Sequence, residues 1–68
     1  MRFLSVNADC FLIELASLEE TMALYNQLQS RQFQGIKDLI PAAKTILVFF
    51  NELETNFITL MAGIQSLT

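Results

Sequence analysis

Apolar positions in this chain repeat with two periods, and the switches between them mark six elements. Residues 2–6 (Arg-Phe-Leu-Ser-Val) are apolar-rich, and Asn7, Ala8 and Asp9 follow. Asn and Asp suit turns because their side chains bond nearby backbone. Cys10 to Leu15 then reads as a second strand. With Ala8-Asp9 as the tight turn, Val6 faces Phe11 and Leu4 faces Ile13. Alternation then places Leu4, Val6, Phe11, Ile13 and Leu15 on one sheet face. Phe3, Ser5, Cys10, Leu12 and Glu14 take the other. The prediction is a β-hairpin.

Ser17-Leu18-Glu19-Glu20 fits a capping box, in which the Ser hydroxyl accepts the fourth residue's amide and Glu20 reaches back. Leu18, Met22, Tyr25 and Leu28 follow at helical spacing, predicting a helix over 18–31 with those residues toward the core. Glu19, Asn26, Gln27 and Ser30 make its solvent side. Gln32 to Gly35 closes the helix, with Gly35 as a turn residue.

Ile36 to Ile40 predicts a third strand, broken by Pro41-Ala42-Ala43-Lys44 because proline lacks the ladder donor. Thr45 to Phe50 is the clearest strand. Ile46, Val48 and Phe50 lie on one side, Thr45, Leu47 and Phe49 on the other, and both sides are apolar. A strand covered on both faces reads this way. Asn51 to Glu54 connects to a final helix capped by Thr55 or Asn56, with Phe57, Leu60, Met61, Ile64 and Leu67 at helical spacing. Gly63 weakens that helix by ~1 kcal/mol relative to alanine.

The order is β-β-α-β-β-α. Two hairpins, each followed by an amphipathic helix, predict an α+β fold: a four-stranded antiparallel sheet with both helices on one face. The second sheet face is then bare, carrying Phe3, Leu12, Leu47 and Phe49 among Ser5, Glu14 and Thr45. Exposed apolar patches of that kind mark interfaces. Those four residues are the candidate partner-binding site.

Composition sharpens this picture. The chain has 68 residues, of which 53% are apolar. Soluble domains usually hold ~45–50%, and one this short buries only ~60% of its unfolded surface. The surplus points to apolar surface facing a partner. Seven acidic and four basic residues give a net charge of -3. The cations Arg2, Arg31, Lys37 and Lys44 are scattered, so the clustered charge that nucleic acid requires is missing. Asp38 and Lys44, flanking the proline turn, are read as ordinary solvated charges.

There is no histidine and one cysteine, Cys10. His-dependent activation of a Ser or Cys nucleophile is therefore excluded within the chain. One thiol also cannot build a Cys/His zinc site or an intrachain disulfide. Cys10 is read as a half-buried strand residue, with nothing cationic beside it to lower its pKa. Glu19 and Glu20 diverge by about 100° around the helix and serve capping and solvation. No catalytic, cofactor-binding or metal-binding residue is predicted. The longest unbroken apolar run, Ile46 to Phe50, is far short of the ~18–20 residues that span a bilayer. A cytoplasmic protein with no membrane segment is the expectation.

The order of these residues resembles the N-terminal domain of one bacterial family. That family includes allophanate hydrolase subunit 1, the smaller carboxyltransferase-like subunit of 5-oxoprolinase, and the sporulation kinase inhibitor. Its pattern is a Gly-Asp turn leading into an apolar strand, a helix, a Gly-Val/Ile…Asp-Val-Val-Pro strand, and a Ser/Thr-led apolar strand. Here these parts are Ala8-Asp9, Gly35-Ile36-Lys37-Asp38-Leu39-Ile40-Pro41 and Thr45-Ile46-Leu47-Val48-Phe49-Phe50. The resemblance implies the same β-β-α-β-β-α fold as one domain over residues 1–68. It further implies that relatives continue into a cyclophilin-like domain, which this chain lacks. Three roles follow as expectations. The first is a non-catalytic interaction domain that self-associates or docks on a larger carboxyltransferase-like subunit. The others are a contribution to an ATP-dependent 5-oxoprolinase complex, and inhibition of a histidine kinase. Ala8 replaces the family's turn glycine, removing the easiest route to positive φ. Phe49 stands where relatives often carry a polar side chain.

Overall fold

The computed structural model describes residues 1–67. It contains β1 (Arg2–Asn7), β2 (Cys10–Glu14), α1 (Leu18–Arg31), β3 (Ile36–Pro41), β4 (Thr45–Phe50) and α2 (Phe57–Gln65), in the predicted order. The strands form one antiparallel sheet in the order β1-β2-β4-β3. Both helices cover one face. Leu24 and Leu28 from α1 and Leu60 and Ile64 from α2 close over Phe11, Ile13, Ile46, Val48 and Phe50.

Local chemistry sets the helix starts. The Ser17 hydroxyl accepts the Glu20 amide at 3.1 Å, and Asn56 Oδ1 accepts the Thr59 amide at 2.8 Å. Each bond satisfies an amide that the first helical turn leaves without a partner. Gln32 ends α1 in the left-handed region (φ 51°), and Gly35 follows at φ 88°. At Gly35 a Cβ would also lie 2.5 Å from Thr55 Cγ2, so conformation and space both select glycine there.

The α1 stripe differs from the predicted one. Leu18 and Met22 are exposed, while Thr21, Leu24 and Leu28 are buried. Thr21 is tolerated inside because its hydroxyl donates to the Ser17 carbonyl at 2.8 Å. That bond lets the helix turn its Leu24–Leu28 edge to the sheet.

β1 also departs from expectation, with larger consequences. Asn7 pairs with Cys10, but Ser5 pairs with Phe11, Leu4 with Leu12 and Phe3 with Ile13, so Val6 is an extra residue in a β-bulge. The Ala8-Asp9 turn has no positive φ. Turns of that kind match strand twist poorly, and a bulge adds twist. One inserted residue exchanges the two faces of β1 upstream of it. Phe3 therefore packs against the core, its ring 6.2 Å from that of Phe11. Leu4 turns to the opposite face.

β3 is an edge strand and runs through Pro41, which pairs with Ile46. An edge position tolerates the missing donor. A second bulge falls between Ile36 and Asp38. Gly63 has a packing role in α2: a Cβ there would lie 2.9 Å from the Phe33 ring.

Candidate interaction surface

The sheet face turned away from the helices is the candidate site, and the strand registers define it. Leu4 lies opposite Leu12, Leu12 opposite Leu47, and Leu47 opposite Ile40. Four aliphatic side chains thus form one row crossing all four strands. On one side of the row, Asn7, Cys10, Phe49 and Asp38 are successive cross-strand partners. On the other side stand Arg2, Glu14 and Thr45. Directly opposed side chains sit ~4.5–5.5 Å apart at Cβ, close enough for the row to be continuous.

Exposure separates the members. Leu4, Leu12, Leu47 and Phe49 are half-buried by their neighbours in the sheet. Ile40 on the edge is 48% exposed. Cys10, the smallest of the group, is buried. Burial, and secondarily the Asp9 carboxylate, push its thiol above the ordinary value, which keeps it protonated at neutral pH. A protonated thiol is a poor nucleophile.

Charge is confined to the margins. Arg2 Nε and Glu14 Oε1 are 3.2 Å apart across the β1–β2 ladder, both well exposed to solvent. A pair so exposed adds little stability. Asp38 uses one carboxylate oxygen to accept the Leu39 amide at 2.9 Å.

Of the four candidates from sequence, Leu12, Leu47 and Phe49 share this face and Phe3 does not. The Val6 bulge carries Phe3 to the helix side, and Leu4 takes its place. Leu4 and Ile40 are the members that sequence reasoning missed, because each depends on a strand register that alternation alone does not fix. The alternation of Leu39 and Ile40 allowed either face. Further apolar exposure occurs at Leu53 (92%) and Ile58 (65%), beside the start of α2. A groove between α1, Met1 and Leu67 has a mostly apolar lining, with Glu20 and Gln27 as its polar side chains.

Among the described residues, no three His, Cys, Asp or Glu side chains are grouped to hold a metal ion. No described helix is long and apolar enough to cross a membrane. The arrangement offers shape and apolar area, with charge only at its edges.

Comparison with known proteins agrees with this architecture. The crystal structure of the conserved uncharacterized protein PH0987 from Pyrococcus horikoshii superposes with a TM-score of 0.83 at 15% identity. The match covers 96% of this chain and 33% of that one, so the present chain spans about a third of that protein. No curated protein matches significantly. The sequence profile described as carboxyltransferase domain, subdomain C and D, matches residues 1–68, the whole chain. The chain belongs to the carboxyltransferase domain family, subdomains C and D.

Proposed function

We propose that this domain is a non-catalytic interaction unit of a carboxyltransferase-type assembly, working through the uncovered face of its sheet. The observation that carries the reading is the Leu4–Leu12–Leu47–Ile40 row, which spans the sheet without a charge. Covering such a row with protein is worth roughly 25 cal/mol for each Å² of apolar surface removed from water. Family membership supports the setting, because a carboxyltransferase-like domain is typically part of a larger subunit or complex.

Sedimentation velocity tests the reading, on the chain alone and mixed with a larger carboxyltransferase-type subunit. Association is expected in at least one case, weakened tenfold or more by Leu47→Asp. Absence of both interactions, or indifference of both to Leu47→Asp, removes the proposal. The same mixture reports on the enzymatic alternative. ATP hydrolysis that depends on 5-oxoproline and stops when this chain is omitted would make the domain a working part of a 5-oxoprolinase-type complex.

A further inference from the structure

Resting on that reading, we infer that the uncovered sheet face is covered by a second copy of this chain, in one specific two-fold arrangement. Two identical sheets stacked with their strands aligned are related by an axis along the strands or by an axis across them. An axis along the strands reverses the strand order, so β1 lies over the partner's β3 and β2 over its β4. Each row of side chains then meets its own row, reversed. Leu12 meets Leu47 of the other copy, Leu4 meets Ile40, Cys10 meets Phe49, Asn7 meets Asp38 and Glu14 meets Thr45.

Every one of these pairings is compatible. Four are apolar contacts, counted from both copies, in the central row. Buried Cys10, the smallest side chain of its row, faces Phe49, the largest, so the two fill one space. The Asp38 carboxylate meets an amide that can donate to it, and no carboxylate opposes another. An axis across the strands behaves differently. It sets each strand on itself and exchanges the outer rows, placing Glu14 on Cys10 and Thr45 on Phe49. That arrangement takes the Arg2–Glu14 pair out of water against apolar surface, and the desolvation cost of a buried ion pair can exceed its Coulombic gain. Charge and side-chain size therefore select the first arrangement.

Area sets the strength. Four strands spaced ~4.8 Å, each about five residues long at ~3.4 Å, give a face of roughly 19 by 17 Å. Two such faces together span roughly 650 Å², below the ~1,000 Å² that a stable specific interface clears. The dimer is accordingly weak and concentration-dependent.

Sedimentation equilibrium with a charge swap tests the pairing. Leu4→Glu and Ile40→Lys each place one charge per copy at the margins of the interface and should weaken the dimer tenfold or more. Together they should bring it back to within about threefold of the parent, since residue 4 meets residue 40 only between copies. Within one chain the two positions are three strand spacings apart, about 14 Å, too far for a direct ion pair. Thermal melts followed by circular dichroism confirm that the variants fold. Ile40→Lys, at an exposed edge position, keeps the test valid if Leu4→Glu does not fold.

A dimer that both single variants weaken and the double variant does not restore overturns this arrangement and leaves the interaction reading standing. So does a chain that stays monomeric at millimolar concentration yet binds a larger carboxyltransferase-type subunit through Leu47. A monomer that also fails to bind that subunit removes both.

Discussion

β4 presents nearly equal side chains to the two faces of the sheet, and the two faces end in different states. On one side Ile46, Val48 and Phe50 are at most 2% exposed. On the other, Leu47 and Phe49 remain half-exposed. Residue type does not separate them, since both sets are aliphatic and aromatic. What separates them is supply. The described residues build two helices, and both lie on the same layer, held by Leu24, Leu28, Leu60 and Ile64. A strand with two apolar faces inside a two-layer fold therefore carries a demand for burial that the described residues leave unmet. Surface of that kind is where association free energy comes from.

The largest expected effect comes from truncating one aromatic on each face. The Phe11 ring lies 5.0 Å from Phe57, 5.8 Å from Phe50 and 6.2 Å from Phe3, centroid to centroid. Phe11→Ala should cost about 3–5 kcal/mol, the range for buried Phe, which for a domain this small approaches its whole stability. Phe49→Ala should cost the isolated domain about 1 kcal/mol or less, while weakening any association through the uncovered face. Urea unfolding of both variants decides. Equal losses of stability would mean that the two faces do not differ as described.

A finer version uses neighbours in one strand. Phe3 and Leu4 are adjacent, yet the Val6 bulge sends Phe3 to the covered face and Leu4 to the open one. Phe3→Ala should cost about 1.5–3 kcal/mol, the value of burying such a side chain. Leu4→Ala should lie below about 1 kcal/mol. Reversal of that order would mean that β1 runs without its bulge, in the register that the residue pattern alone suggests.

These two residues also mark the boundary of what the sequence discloses. Helix starts were legible because caps are local: Ser17 and Asn56 each act within three residues of themselves. The β4 run was legible for the same reason, and so was the element order on which the family resemblance rested. Side-chain direction was less so. A turn at Ala8-Asp9 fixes the register only if the ladder beyond it is regular, and nothing in Ser5-Val6-Asn7 announces an extra residue. In α1, Leu18, Met22, Leu24, Tyr25 and Leu28 permit two apolar stripes. The choice between them depends on Thr21 disposing of its hydroxyl on the Ser17 carbonyl. Leu12, Leu47 and Phe49 were readable from alternation within regular strands. Leu4 and Ile40 needed registers that only the assembled sheet supplies.

The smallest expected effect concerns Cys10, the one residue of the uncovered face that is buried without help from a helix. Its thiol titrates above the ordinary value because burial disfavours the thiolate, with the Asp9 carboxylate adding to it. A raised folded-state pKa means that the native protein holds its proton longer than the unfolded chain does. The resulting stability is fully present below the unfolded value, roughly pH 8.5, and is lost as pH rises through the folded one. Unfolding free energy should therefore fall between pH 8 and 10 more steeply for the parent than for Cys10→Ala. Parallel slopes would mean that Cys10 meets water as readily in the native sheet as in the unfolded chain. The rows beside it would then be too open to form a continuous apolar surface, and the uncovered face would be solvated like any other.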